Sequence, residues 1–328
     1  MTTYSTNTPC DANSDATFQT FVNEVYTALV TNLALVQTAD TGQMAVPCTT
    51  THPLAANTSS GYYVFKFTDT LQATAPVFFK LEFGGGSNIG YPAMWITVGT
   101  GSSGAGAITW SGFGTTDGGT ATATRVICGG GTPGQTTTNY TSRYCYNTTQ
   151  GFLGVVMKIS GGGANGEATN GFFLRRTVSS NGAPNGNAVI LDTNSATGTN
   201  AATGACVQII SYTNSTVYGP TLPANLNYTS QTFLSPPFVP TNSSRGSTVG
   251  QIGPVYQVQP STTTGLNLGI TNCAASCITT EIPLHSTVTA TVLGSTSLTY
   301  INCGSLPFAN SGMTGWSAAN FSCLMLWQ

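Results

Sequence analysis

The sequence predicts a mainly β protein: an N-terminal amphipathic helix plus an antiparallel β-meander, followed by β-sandwich-like regions with long loops. Three observations predict it. One early segment carries apolar residues at helical spacing. After it the apolar period becomes two, segment after segment. Turn-forming residues, among them 39 Gly and 16 Pro, interrupt the chain at short intervals.

The helix is Ser14 to Leu33, "SDATFQTFVNEVYTALVTNL". Phe18, Phe21, Val22, Val25, Leu29 and Leu33 form one apolar stripe, which calls for packing against a core. Ser14 suits the N-cap and Asp15 the first turn. The meander follows. In "GYYVFKFTDT" Tyr63, Phe65 and Phe67 share one face. In "PVFFKLEF" Val77, Phe79, Leu81 and Phe83 do the same, and "AMWITV" (93–98) is a third strand. Pairing these strands puts Lys66 near Lys80 and Glu82 on a solvated face, where opposite charges support register.

Further strands are predicted at 123–128, 152–159, 171–178, 187–193 and 205–213. The pair flanking "SSNGAPNG" makes a hairpin. Residues 219–246 are rich in Pro and Asn and read as a long extended connection. "GPVYQVQ", "TVTATVLG", "SLTYINCG" and "FSCLMLWQ" are the last strands, the middle two forming a hairpin. The chain divides into 1–112, a helix plus β-meander module; 113–248, a Gly/Thr-rich β region with long loops; and 249–328, a C-terminal β region.

Composition narrows the function. Only 5% of the 328 residues are charged, against roughly 25% in ordinary soluble domains. The surface is therefore largely neutral and hydroxyl-rich. A net charge of -2 gives no electrostatic case for nucleic acid or for an anionic membrane. Weak repulsion between copies favours packing many of them together. No apolar run reaches the length of a membrane helix, and "MTTYSTNTPC" lacks the features of a signal peptide. The nine cysteines are Cys10, Cys48, Cys128, Cys145, Cys206, Cys273, Cys277, Cys303 and Cys323. Their scattered placement makes them disulfide candidates, with at least one thiol left over. A chain made in a cytosol but persisting somewhere oxidising fits a particle released by lysis. Asn-x-Ser/Thr triplets, as at Asn139, Asn214 and Asn242, occur as often as a Ser/Thr-rich chain gives by chance, so no glycosylation is read from them.

Several motifs imitate chemistry. Asp40-Thr41-Gly42 spells the aspartic-protease triplet, but that catalysis needs two carboxylates sharing a proton. No second copy exists and the flanks are poorly apolar. The expected role is a turn after the helix: Asp40 bonds the local backbone and Gly42 takes a positive φ. Gly99-Thr100-Gly101-Ser102-Ser103-Gly104 matches a dinucleotide-binding loop, yet strand and turn residues follow where a helix must start. "GGGTPGQT" (129–136) has Gln135 where a phosphate loop needs Lys. Cys273 and Cys277, with His285 and Cys303, are spaced poorly for structural zinc. His52 and His285 are the only histidines, and no nucleophile elbow accompanies either. Asp192 with Glu167 is the least unfavourable glycosidase pair. Arg175 and Arg176 alternate faces of a strand, which argues against a basic patch. Trp95, Trp110, Trp316 and Trp327 suit core or subunit interface before glycan stacking. No catalytic, cofactor-binding or metal-ligating residue is assigned, and no cofactor is called for.

A helix leading into "LVQTADTGQM", then "AANTSSGYYVFKFTDTLQATAPVFFKLEFG" and "AMWITVGTGSSGAG", resembles a set of virion proteins of tailed bacteriophages whose genes lie among tail and baseplate genes. In that set "GLVQTADTGQ"-like, "LQ-x-TAP" and "TVG-x-G-x-x-G" segments recur in this order. "EIPLHSTVTATV", "LTYINCG" and the terminal apolar-Trp ending are similar in a less specific way. The resemblance covers residues 15–110 and, more loosely, 250–328; the middle departs from it. It implies a structural virion protein, a peripheral tail or baseplate component acting by assembly, with other virion proteins and further copies of itself as partners. Alternative readings are a receptor- or glycan-binding tail-fibre or adhesin module, with a host surface glycan or receptor as partner, a capsid decoration or neck-collar protein, and a virion-borne hydrolase.

Overall fold

A computed structural model describes residues 1–9, 14–53, 55, 58–85, 92–109, 126–128, 139–149, 151–159, 168–178, 184–192, 207–211, 216–218, 233–234, 252–259, 266–276, 286–290, 298–305 and 322–327. The protein is mainly β, with one N-terminal helix and antiparallel sheets.

Strand β1 (Thr2–Pro9) precedes helix α1 (Asp15–Tyr26). Ser14 caps α1, its hydroxyl accepting from the Thr17 N–H at 3.1 Å. Asp15 lies in the first turn, and Phe18, Phe21, Val22 and Val25 are buried. The predicted single helix changes character at its end. Residues Thr27–Asn32 form a π-helix, closed by Leu33 N–H on the Ala28 carbonyl at 3.1 Å. The wider turn keeps Ala28 and Leu29 on the buried side.

The meander sheet contains β2 (Val36–Gln37), β3 (Thr58–Lys66), β4 (Phe78–Gly85), β5 (Pro92–Gly99) and, after the small hairpin β6 (Gly101–Ser102) and β7 (Ile108–Thr109), β8 (Val126–Cys128). Its order is β2-β3-β4-β5-β8. The larger sheet adds β9 (Asn139–Asn147), β10 (Phe152–Ile159), β11 (Ala168–Val178), β12 (Pro184–Asp192), β13 (Val207–Ser211), β14 (Thr216–Tyr218), β15 (Phe233–Leu234), β16 (Ile252–Gln259), β17 (Leu266–Ser276), β18 (Thr287–Ala290), β19 (Leu298–Ser305) and β20 (Ser322–Leu326). Its spine runs β1-β9-β10-β11-β17-β20-β19-β18. The hairpins predicted around "SSNGAPNG" and "LGSTS" correspond to the β11–β12 and β18–β19 pairs. Within the predicted connection 219–246, β15 pairs with β16, and the rest lies outside the described residues.

One core joins the two sheets and the helix. On the meander side Tyr63, Leu81 and Ile96 align across β3, β4 and β5, as do Phe65, Phe79 and Val98. On the other side Tyr144, Val155 and Phe172 align across β9, β10 and β11, as do Tyr146, Leu153 and Leu174. All twelve belong to the same buried cluster, with Phe18, Phe21 and Val25 of α1. Rings mesh across the layer: Phe79 with Phe172 at 6.4 Å, Phe67 with Tyr146 at 6.0 Å, and Phe21 with Tyr140 at 6.2 Å. Each such ring removed from water stabilises by about 1.5–3 kcal/mol. The core therefore spans residues on both sides of position 112.

Two polar features are built into this layer. Asp69, in the turn after β3, receives a bidentate ion pair from Arg176 of β11: Nε to Oδ2 at 2.9 Å and Nη2 to Oδ1 at 3.0 Å. The Arg176 side chain has no exposure and that of Asp69 only 3%. Arg176 Nη1 also donates to the Ala75 carbonyl at 2.5 Å. Gly151, at φ +58, lies so close that a Cβ would overlap the Asp69 carboxylate. The second feature is His52. Its backbone N–H donates to Asp15 Oδ1 at 2.8 Å, and its ring meets Phe18 edge-on at 5.4 Å. Neither ring nitrogen has a hydrogen-bond partner among the described residues. Burial lowers the His52 pKa, and the nearby Asp15 carboxylate offsets this only in part.

Removing one partner of the ion pair strands a buried charge. Asp69→Asn is expected to lower unfolding free energy by about 3–5 kcal/mol, read by urea denaturation, whereas an apolar replacement of both partners costs much less. A second expectation concerns acid. Because folding depresses the His52 pKa, its contribution is complete above the unfolded value of about 6.5. It is lost as pH falls from there through the folded pKa, then levels off. His52→Phe should remove that part of the pH dependence of thermal stability.

Candidate functional site

The corner after the helix meets the β6–β7 hairpin. Two motif look-alikes, the Asp-Thr-Gly triplet and the Gly-rich segment after β5, pack on each other there. The Asp40 carboxylate accepts from Thr38 Oγ1 at 2.6 Å, from Ser102 Oγ, and from the Gly106 N–H at 2.8 Å. Thr41 N–H donates to the Gly104 carbonyl at 2.8 Å. Burial pushes the Asp40 carboxyl up, but hydrogen bonds from Ser102, Thr38 and the backbone of Gly106 and Gly104 outweigh it and hold the pKa below the ordinary value. Asp40 therefore reaches some sixty residues along the chain, beyond the local turn expected of it. Gly42 sits in the turn at φ +80, the region where a side chain is strained.

Gln43 completes the corner. Its Nε2 donates to the carbonyls of Thr38 at 2.8 Å and Asp40 at 3.0 Å. Its Oε1 accepts from Val64 N–H at 2.7 Å and from Gln37 Nε2 at 3.1 Å. The side-chain amide thus satisfies a β3 backbone donor that the departing chain leaves unpaired. Gln37 in turn accepts from the Tyr26 hydroxyl at 2.7 Å, which ties the corner to the end of α1.

Tyr62 of β3 links corner to sheet. Its hydroxyl shares its proton between the carbonyls of Thr41 at 2.8 Å and Ala105 at 3.2 Å. Its ring lies under Lys80 Nζ, 5.5 Å from the centroid. Lys80 pairs with Glu82 at 3.5 Å, and the side chains are 4% and 8% exposed. This corrects the expectation of a solvated face. Every residue of β5 is buried, so the second face of the meander is covered too, and Lys80 and Glu82 pair inside it. Trp95, opposite Glu82 in register, is also buried; its indole N–H has no acceptor among the described residues.

The arrangement bears on chemistry. An acid dyad needs a second carboxylate sharing a proton with the first. The groups bonded to Asp40 are instead Thr38, Ser102 and the Gly106 amide, all donors to an ionised carboxylate. The Gly-rich segment is occupied by Asp40, an anion of the chain itself. Among the described residues no group of three His, Cys, Asp or Glu is placed to hold a metal ion.

The cysteine expectations divide. Among the described residues no two cysteines lie at disulfide distance, and Cys48 and Cys145 are both buried. Cys48 lies in the core cluster, where a thiol packs as a small apolar group. Cys145, on β9, has no exposed surface. The backbone places Cys128 on β8 and puts Cys273, Cys323 and Cys303 on the neighbouring strands β17, β20 and β19. Cys10, Cys206, Cys277, His285, Glu167, Trp110, Trp316 and the 129–136 loop lie outside the described residues. Arg175 and Arg176 are both fully buried: Arg176 joins Asp69, and Arg175 lies 5.8 Å from the Phe152 ring. From the sequence Tyr62 and Gly106 have no role at a site, and Ser102 enters only within the Gly-rich segment. Their signal was the pairing of two motifs that each looked like failed chemistry.

Comparison with protein-family models, with curated proteins and with solved structures finds no match.

Asp40→Asn is expected to keep the shape but weaken three hydrogen bonds to a charged acceptor, lowering stability by about 1–2 kcal/mol at this partly solvated position. Gly42→Ala should also destabilise, because the added Cβ meets both the positive φ and the Tyr62 hydroxyl at 2.9 Å. Thermal unfolding of the two variants checks this; equal stability to the parent would refute the clamp.

Proposed function

We propose that this chain is a structural virion protein of a tailed phage, a peripheral tail or baseplate component that acts by assembly and not by catalysis. The observation that carries this reading is the fate of the chemistry-bearing groups. Asp40 and the Asp69–Arg176 pair each hold one part of the fold to another, and Lys80 and Glu82 pair with each other within β4. The resemblance of the "LVQTADTGQ" corner and the meander to phage virion proteins supports it. So does the low charge, since a surface of few ions lets many copies pack without repulsion. Its partners under this reading are other virion proteins and copies of itself, without nucleic acid or membrane insertion, and its place is the released particle.

Mass spectrometry of purified particles, followed by locating the chain in a cryo-EM map, tests the proposal. Stoichiometric presence at the tail or baseplate is the expected result. Particles that lack the chain would sink it.

A further inference from the structure

We infer that strand β1 is an interface through which two copies of this chain join, antiparallel, into one continuous sheet. Three observations lead there. β1 pairs along its whole length with β9, from Thr2 opposite Tyr146 to Pro9 opposite Asn139, with no break in register. It is the end strand of the sheet, so among the described residues its other edge carries unpaired backbone donors and acceptors. Ser5 and Asn7 are exposed.

Natural edge strands of this length are blunted by Lys, by an internal Pro, by a bulge or by a covering element. β1, "TTYSTNTP", has no charge and no bulge, and its single Pro comes at the end. Its side chains settle one face only. Tyr4 packs on the core, Thr6 donates to Glu24 of α1 at 3.3 Å, and Thr8 bonds Ser142 at 2.9 Å. These contacts hold the strand against α1 and β9 and leave its outer backbone edge unpaired among the described residues.

The occupant that fits is a second copy. A two-fold axis through Ser5 pairs Thr2 with Thr8, Thr3 with Asn7 and Tyr4 with Thr6, the longest overlap this strand can make with itself. Such a contact is isologous, so each copy satisfies the other's edge and the assembly closes as a dimer. Every facing side chain is neutral, so no like charges oppose one another. β-branched Thr favours the extended state on both sides. The pairing belongs to the chain itself and does not depend on where a particle would hold it.

Sedimentation of the purified chain tests this. The parent is expected to form a concentration-dependent dimer. Ser5→Lys places two lysines opposite each other across the axis, their Cβ atoms about 5 Å apart, and should weaken dimerisation at least tenfold, with circular dichroism unchanged. Ser5→Glu should do likewise. An equimolar mixture of the two variants should recover association, because Lys then faces Glu. A parent that stays monomeric up to about 100 µM, a dimer that Ser5→Lys leaves intact, or a mixture that fails to recover would each overturn the proposal.

Discussion

The bidentate contact between Arg176 and Asp69 is the constraint on which the two-sheet arrangement depends. It lies where the β3–β4 connection of the meander meets β11 of the larger sheet. An apolar layer of Phe, Tyr, Leu and Val can slide with little change in buried area, because the hydrophobic effect has no direction. A planar guanidinium on a carboxylate cannot slide; it accepts one geometry. Replacing such a pair by apolar residues is often neutral for stability, so its contribution here is register between sheets and less so raw free energy. Gly151 fits this account, since the close approach of the Asp69 carboxylate leaves no room for a side chain.

The same logic repeats at the corner. Asp40 fixes the hairpin, Gln43 repairs the end of a strand pairing, and Tyr62 binds both to the sheet. Each uses a polar group where the backbone changes direction and cannot satisfy itself. The motif resemblances at this place are therefore physically related. Aspartic proteases and dinucleotide folds use Gly-rich turns because backbone must approach something closely. Here the thing approached is another turn of the same chain.

Much of the N-terminal third was legible in the sequence, because periodicity reports burial directly. The stripe from Phe18 to Leu33 and the alternation from Tyr63 to Phe83 name the residues that fill the core. Several strands were not legible, among them β1, β9 and the 11-residue β17. β1 and β9 are mostly Thr, Ser, Asn and Tyr, so their contrast between faces is weak, although Tyr140, Tyr144 and Tyr146 are buried. The burial of Lys80 and Glu82 was hidden for another reason. Alternation says which residues share a face, but not whether a further layer covers it. Asp40 was read as a local turn residue because Ser102 and Gly106 are more than sixty positions away, beyond any window of sequence pattern.

Charge placement connects fold to function. Asp69, Lys80, Glu82, Arg175 and Arg176 are all buried, in a chain with 8 basic and 10 acidic side chains. Surface charge is the usual device that keeps folded chains apart and that protects sheet edges. These five lie inside, where charge selects one packing among many. A surface rich in hydroxyl and amide groups and sparse in ions hydrogen-bonds readily and repels little. Such a surface stays hydrated when alone, and it meets a neighbour without the desolvation cost of ions. Under the proposed assembly role, a neutral edge such as β1 would let copies meet without like-charge repulsion.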